Sequence, residues 1–164
     1  TVMDPRAVSG CCMKENGEVV LLKIIVVSHG DFARGILNSV QMLAGKQADV
    51  VAFGLYPHED REILQEKVRA ELEHAAPGEE VLVLSDLFHG TPFNVCVNLR
   101  KDYDFEHITG INLPLFIEII MDRMAGKSAR EICEEVVPHA ADTVKDVNAL
   151  LGQEDEEESE EEEE

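Results

Sequence analysis

The chain has 164 residues, a length typical of one domain with a sizeable buried core. Its formal net charge is −20, but ten acidic residues lie within residues 154–164, so the rest of the chain carries −10. This acidity outside the terminal run argues against nucleic-acid binding and favours a basic protein partner. No stretch approaches the roughly 20 apolar residues that a membrane-spanning helix needs.

Composition divides the chain into three segments. We expect residues 1–20 to be a leader, either disordered or an artefact of start-site choice, residues 21–151 to be an α/β domain, and residues 152–164 to be a disordered acidic tail. The tail is either a solvating appendage or a docking arm for a basic partner. The four cysteines form no Cys-x-x-Cys pair, which favours reduced thiols in a cytoplasmic protein over a zinc site or disulfides.

The first half of the chain alternates between the hydrophobic periods of strands and helices, which indicates βαβ units around a mostly parallel, doubly wound sheet. The first strand is predicted at residues 21–28, and a helix follows that Asp31 caps and that ends near residue 43. A second strand at residues 50–55 precedes a helix at residues 59–73. The residues of these two helices expected to face the core are Ile36, Leu37, Val40, Leu43, Ile63, Leu64, Val68 and Leu72.

The second half of the chain continues the same alternation. A third strand at residues 81–85 leads to a helix that Thr91 is expected to cap, with Pro92 at the first helical position. A short fourth strand is predicted at residues 107–111, followed by an unusually apolar helix at residues 113–124. The last helix begins with a capping box at residues 128–131, and a proline at position 138 is expected to kink or interrupt it.

Two polar residues follow predicted strands at the same edge of the sheet. His29 ends the first strand and Asp86 ends the third, and the carboxyl ends of parallel strands are where functional groups collect. A histidine can attack a phosphoryl group if one ring nitrogen is free and a carboxylate holds the proton on the other. Asp86 is suited to that task, so the pair predicts a site for proton or phosphoryl transfer.

The phosphoryl oxygens need donors, which the starts of the first and third helices can supply through backbone N–H groups, together with the Thr91 hydroxyl. Gly30 and Gly90 would let the backbone approach the ligand. Each residue also has an ordinary interpretation: the glycines as turn residues, and Thr91 as a helix cap. His29 could equally be buried or capping, and Asp86 could simply cap a helix.

The other histidines show no spacing that predicts a metal site, so no metal is expected. His89 either lines the site or is a solvated loop residue, and four more are expected to be surface or satisfied side chains. No Gly-x-Gly-x-x-Gly or Walker-type loop is present, and no cofactor is predicted. The four remaining histidines are His58, His74, His107 and His139.

Three blocks carry a family resemblance. In chain order they are residues 24–30 (IIVVSHG), 84–94 (LSDLFHGTPFN) and 110–115 (GINLPL). Their order and spacing resemble the signature blocks of the mannose-family enzyme IIA of the bacterial phosphoenolpyruvate-dependent sugar phosphotransferase system, and the resemblance extends over residues 22–151. It implies that His29 accepts a phosphoryl group from the phosphohistidine carrier protein and passes it to a IIB component, which phosphorylates sugar as the membrane components IIC and IID import it.

The resemblance also implies site roles and an assembly. Asp86 would orient His29, Phe88 would stand where an aromatic residue flanks the family's site, and Thr91 where a hydroxyl meets the phosphate. The family is a cytoplasmic homodimer whose four-stranded parallel sheet is completed by an antiparallel edge strand exchanged between subunits. By position that strand would be residues 144–150, whereas the local pattern favours the end of a helix there.

Two positions depart from the family pattern. His89 stands where a glycine is common, and Asp31 follows Gly30 where a bulkier residue can occur. A carboxylate beside a phosphorylation site repels the incoming anion unless it points away as a helix cap. Three alternatives stay open: a regulatory or binding module of this fold that senses phosphorylation without passing it on, a phosphocarrier that feeds a dihydroxyacetone kinase, and a hydrolase.

Overall fold

Four parallel strands form the centre of the fold, as the alternating periodicity predicts. The computed structural model describes residues 11–13 and 19–152. In this part of the chain the strands are β1 (Cys11–Met13), β2 (Val19–His29), β3 (Val50–Leu55), β4 (Glu80–Ser85) and β5 (Glu106–Thr109). The helices are α1 (Phe32–Ala44), α2 (Arg61–Glu73), α3 (Thr91–Leu99), α4 (Leu113–Met124) and α5 (Ala129–Val136), followed by a 3₁₀ helix at Val137–Thr143.

The order of the parallel strands is β3-β2-β4-β5. The chain moves outward from β2 to β3 on one side and then returns to β4 on the other side of β2. The strand order therefore reverses between β2 and β4, and in open α/β sheets the crevice at such a point is the usual place for a site. Val27 of β2 lies opposite Ser85 of β4, so the carboxyl ends of these two strands are level.

Both faces of the sheet are covered by helices. Ile24 and Val26 of β2 belong to one apolar core with α1, α4 and α5, and Ile25 and Val27 belong to the other with α2 and α3. All four side chains are fully buried, which explains why residues 24–27 form a continuous apolar run instead of an alternating one. In the described part of the chain, every helix falls short of the length and apolarity needed to cross a bilayer.

Most predicted boundaries are confirmed, and two predicted core residues are wrong. The strand at 50–55 and the helix at 113–124 match to the residue, the capping box of α5 is formed, and α5 gives way to a 3₁₀ helix beside Pro138. Leu43 and Ile63 are exposed, however. Neighbouring helical residues are about 100° apart, so Ile63 lies off the buried stripe that runs through Leu64 in α2, and Leu43 lies at the margin of the buried face of α1.

An arginine in α4 ties that helix to the amino end of the sheet. Arg123 is buried, and its guanidinium donates to the carbonyl oxygen of Leu22 at 2.9 Å and to that of Ala48 at 2.7 Å. These carbonyls lie at the start of β2 and just ahead of β3. The cation therefore satisfies two backbone acceptors at this end of the sheet.

The ends of the chain bear on two further predictions. Residues 11–13, inside the predicted leader 1–20, pair antiparallel with residues 19–21 of β2, while residues 153–164 of the predicted tail lie outside the described residues. At the predicted exchanged strand, residues 144–146 have no regular structure and residues 147–152 are helical. Within this single chain that edge strand is absent from the described residues, and the exchange between two chains stays a prediction, as does the division into three segments.

Candidate functional site

The predicted pair, His29 and Asp86, is in direct contact at the carboxyl edge of the sheet. One carboxylate oxygen, Oδ2 of Asp86, accepts the backbone N–H of His29 at 2.8 Å and lies 2.9 Å from Nδ1 of its ring. An ionised carboxylate only accepts hydrogen bonds, so Nδ1 carries the proton and Nε2 has the free lone pair. The His29 side chain is 47% exposed, whereas that of Asp86 is 14% exposed. The imidazole is therefore accessible to solvent, whereas its carboxylate partner is largely buried.

The second oxygen of Asp86, Oδ1, is buried and accepts from no group among the described residues. Oδ2 alone thus makes the contacts to His29, and no other side chain in this part of the structure neutralises the carboxylate. Its full charge is available to stabilise a cationic imidazole ring. This is the electrostatic arrangement that a transiently phosphorylated histidine needs.

Gly90 fixes the space available to the His29 ring. A Cβ atom on Gly90 would lie 2.7 Å from Cε1 of His29, closer than real Cβ contacts. The φ angle of Gly90 is −75°, which any residue adopts, so the requirement is one of space and not of conformation. Gly90 is the N-cap of α3, which brings the start of that helix against the ring.

Gly30 has a different reason to be glycine. Its φ is +51°, in the left-handed region, and its N–H donates to the carbonyl oxygen of Leu55 at 2.8 Å. That N–H is therefore engaged with β3 and not directed at a ligand. On the facing strand, a Cβ on Gly54 would stand 2.1 Å from the Gly30 carbonyl oxygen, so the two backbones touch without a side chain between them.

The caps of the two helices beside the site differ from the prediction. Ser28 caps α1, since its Oγ accepts the Ala33 N–H at 2.7 Å, while Asp31 makes no capping hydrogen bond. The φ and ψ of Asp31 are −89° and 4°, outside the extended region that a cap residue normally adopts. Its Oδ1 instead accepts the hydroxyl of Tyr56 at 2.5 Å, and Arg34 lies 4.0 Å away. The carboxylate is thus held away from a capping position.

Thr91 is likewise not a cap, because Gly90 occupies the N-cap of α3 and, among the described residues, no side chain forms a capping hydrogen bond there. Thr91 is the first helical residue and lines a cleft next to His29. The predicted flanking aromatic, Phe88, is more than half exposed and contacts His89 with tilted rings, whose centroids are 3.7 Å apart. His89 has a φ of +61°, which accounts for the preference for glycine at this position, and its ring also meets Phe93 edge-on.

Of the four remaining histidines, His107 packs against Phe93. Its ring centroid lies 5.4 Å from that of Phe93, and its Nε2 is 2.8 Å from the buried hydroxyl of Ser85. Burial, assisted by the nearby charge of Arg100, lowers the pKa of His107 to about 4. The ring is therefore neutral at physiological pH and is a satisfied side chain, one of the two roles predicted for it.

A cleft of about 420 Å³ opens beside the ring of His29. It is lined by His29, Gly30 and Thr91 and, from the end of β3 and the start of α2, by Tyr56 and Arg61. Neither of the last two residues has a role in the predictions made from the sequence. The signal that could have found them is that they follow a third parallel strand, whose carboxyl end must lie at the same edge as the other two.

The arrangement has the parts required of a phosphoryl acceptor: a fixed tautomer, a free Nε2, an adjacent charge for the cationic ring, and a cleft beside it. Within residues 11–13 and 19–152, no three His, Cys, Asp or Glu side chains are grouped so that they could hold a metal ion. The fold and the site together define a doubly wound α/β protein in which a histidine and its carboxylate partner lie at the switch point of the sheet.

Comparisons with known proteins give the family. The model of the EIIA-man family, described as the PTS (phosphotransferase system) fructose IIA component, matches residues 23–137, and the chain belongs to this family, the mannose-family IIA components of the sugar phosphotransferase system. The fructose-specific EIIA component of Bacillus subtilis is 31% identical over 101 residues, 61% of this chain and 69% of that protein. The mannose-specific EIIAB component of Escherichia coli K12 is 32% identical over 129 residues, 78% of this chain and 40% of that protein.

A solved structure agrees with this assignment. The EIIA component from Streptococcus agalactiae superposes with a TM-score of 0.71 at 29% identity, covering 78% of this chain and 98% of that one. The predicted α/β class and the resemblance to this family are thereby confirmed. Family members are phosphotransferase subunits of sugar transport systems, so a transferase role follows for this chain.

Proposed function

We propose that this chain is a cytoplasmic phosphoryl-transfer subunit that accepts a phosphoryl group on His29 and passes it to a IIB component during sugar uptake. The observation that carries the proposal is the contact of Asp86 with Nδ1 of His29 at 2.9 Å, which leaves Nε2 free beside an open cleft. Membership of the EIIA-man family supports the donor as the phosphohistidine carrier protein and the acceptor as IIB. The membrane components IIC and IID would be reached only through IIB.

The proposed transfer requires little covalent chemistry from the protein. The lone pair of His29 Nε2 forms a bond to phosphorus, the P–N bond of the donor phosphohistidine breaks, and the donor ring leaves as neutral imidazole with that electron pair. The ring of His29 becomes cationic, and the adjacent Asp86 carboxylate stabilises it. Positioning and electrostatic stabilisation of the phosphoryl oxygens supply the rest of the rate.

Four further residues would hold the phosphoryl group or shape its site. Thr91 lines the cleft and offers a hydroxyl, and the free N–H groups at the start of α3 offer backbone donors. Gly90 leaves room for the ring, and Gly30 makes the turn that ends β2 beside it. Phe88 lies in the loop after β4, two residues beyond Asp86, and its exposed ring would shield the phosphoryl group once a partner docks.

The surface around His29 is suited to protein partners. Three large apolar residues follow the pair in sequence: Phe32 comes shortly after His29, and Leu87 and Phe88 come directly after Asp86. Each of these side chains is between 44% and 58% exposed. Large apolar side chains exposed around a reactive group favour a protein docking face, since a small polar substrate would not need them. The carrier protein and IIB would use this face in turn, because both must reach the same Nε2.

A homodimer is the proposed assembly. Apolar side chains are exposed on the last part of the described chain at Val144, Val147, Leu150 and Leu151. Four apolar side chains left exposed within eight residues favour burial of this segment against a second copy, where it would form the exchanged edge strand. Light scattering on the full chain should give twice the chain mass, and Val147→Asp combined with Leu150→Asp should give the single mass.

The central test is phosphorylation by the carrier system. We would incubate the chain with phosphoenolpyruvate, enzyme I and the carrier protein and follow its intact mass, comparing wild type with His29→Ala and, as a matched control, His58→Ala. One acid-labile phosphoryl group on wild type and on the control, but not on His29→Ala, is expected. No modification of a folded wild type would overturn the proposal.

Adding purified IIB separates the two classes of function that the sequence left open. Loss of the phosphoryl group from His29 with its appearance on IIB supports transfer. Retention on His29 in the presence of active IIB would instead support a regulatory module that senses phosphorylation.

A further inference from the structure

The cleft beside His29 is lined by an arginine, Arg61, that lies outside the three sequence blocks that resemble the family. Arg61 is the first residue of α2, on the side of the cleft opposite α3, and it lines this cleft with His29 and Thr91. Among the described residues that line the cleft, it is the one with a permanent positive charge. Its place follows from β3 lying next to β2, which brings the β3–α2 connection to the edge where His29 ends its strand.

The carboxylates around the cleft already have partners. Glu59, which also lines it, lies 3.7 Å from Lys67, and Asp31 is held by the Tyr56 hydroxyl with Arg34 4.0 Å away. Glu59 and Asp31 therefore have partners other than Arg61, and neither carboxylate holds the guanidinium.

Arg61 itself is only weakly committed. Its Nε donates to Glu62 at 2.9 Å, and the two side chains are 68% and 66% exposed. Water and salt screen exposed pairs of this kind, so the guanidinium leaves Glu62 at little cost when a stronger partner is present. A phosphoryl group is such a partner, because its oxygens accept two parallel N–H bonds from a guanidinium.

We propose that Arg61 binds the phosphoryl group while it is attached to Nε2 of His29, from the side opposite Thr91. The inference rests on the proposed function of His29 and adds a residue and a consequence to it. By pairing with the phosphoryl oxygens, Arg61 stabilises phosphorylated His29 and slows its hydrolysis, in which water attacks phosphorus and the P–N electron pair returns to Nε2. It does not alter the histidine itself, so the first transfer still occurs without it.

The lifetime of phosphorylated His29 tests this role. We would phosphorylate the full chain, remove the carrier system, and follow loss of the phosphoryl group by intact mass for wild type, Arg61→Gln, Arg61→Lys and the control Arg69→Gln. Arg69 lies on the same helix and pairs with Glu66 outside the cleft. We expect loss to be about three- to tenfold faster in Arg61→Gln, intermediate in Arg61→Lys and unchanged in Arg69→Gln.

A second variant should not shorten the lifetime. Glu62→Gln frees the guanidinium from its pair, so phosphorylated His29 should last as long as in wild type or longer, and high salt should shorten the lifetime in wild type but not in Arg61→Gln. Equal lifetimes for wild type and Arg61→Gln, with His29 phosphorylated in both, would overturn the role of Arg61 and leave the proposed function standing. A wild-type chain that never acquires the group would overturn both.

Discussion

Gly90 and His29 lie so close that a single methyl group between them has no room: a Cβ on Gly90 would stand 2.7 Å from Cε1 of the ring. The neighbouring atom belongs to a side chain, so Gly90→Ala should fold but displace the imidazole from its position against Asp86. Because a misplacement of about 1 Å can cost a hundredfold in rate, we expect phosphoryl acceptance to fall by about ten- to a hundredfold, measured by single-turnover phosphorylation.

Gly35→Ala is the matched control for that substitution. Gly35 lies inside α1, and nothing stands within 4 Å of the place that an alanine methyl group would take. Alanine should therefore stabilise the helix by about 0.5–1 kcal/mol and leave the phosphorylation rate unchanged. If Gly90→Ala were phosphorylated as fast as Gly35→Ala, the close approach to the ring would have no functional role.

Asp86→Asn tests the charge of the pair separately from its shape. The amide can still accept the His29 backbone N–H, so the loop geometry should hold, but it cannot stabilise a cationic ring. We expect phosphoryl acceptance by His29 to slow by about a hundredfold or more, with unchanged circular dichroism and little change in melting temperature. A rate within a few-fold of wild type in the folded variant would contradict the electrostatic role of Asp86.

His107 should make the stability of the fold depend on pH. Burial lowers its pKa from 6.5 to about 4, so between these values the unfolded chain binds a proton that the folded chain does not. This contribution to the free energy of unfolding is therefore fully present above pH 6.5 and is lost as the pH falls to about 4, by about 3 kcal/mol. Urea unfolding at several pH values should show a shallower loss for His107→Gln, and parallel curves for the two proteins would refute this origin.

Arg123 should be worth far more to stability than a surface arginine. Arg123→Met leaves the carbonyl groups of Leu22 and Ala48 without their donor in a buried region, and we expect a loss of about 3 kcal/mol in urea unfolding. Arg69→Met, which breaks an exposed pair with Glu66, should change stability by no more than about 0.5 kcal/mol. Similar losses for the two variants would show that the buried hydrogen bonds contribute little.

The pair at the centre of the site could be predicted because it depends on a topological rule. A histidine and an aspartate at the ends of two parallel strands must come to the same edge, and His29 and Asp86 meet there although 57 residues separate them. The long, strongly periodic segments were also predictable, as β3 and α4 show.

The details that were missed depend on competition between near neighbours. Ser28 and Asp31 both offer an oxygen to the start of α1, and only the backbone angles decide in favour of Ser28. Arg61 joins the site because β3 packs beside β2, a choice made by the assembled sheet and not by the local pattern. The left-handed φ of His89 is likewise imposed by its loop and by its contact with Phe88.

The contact between Gly54 and Gly30 means that part of the site is defined by main chain alone. Because a Cβ at Gly54 would stand 2.1 Å from the Gly30 carbonyl oxygen, the distance from β3 to the turn that carries His29 is set by backbone thickness. Transfer of the histidine and aspartate to another scaffold would therefore require more than the side chains. The new scaffold would also have to reproduce this backbone contact between a strand and a turn. A residue without a side chain thus determines how closely β3 approaches the turn that follows His29.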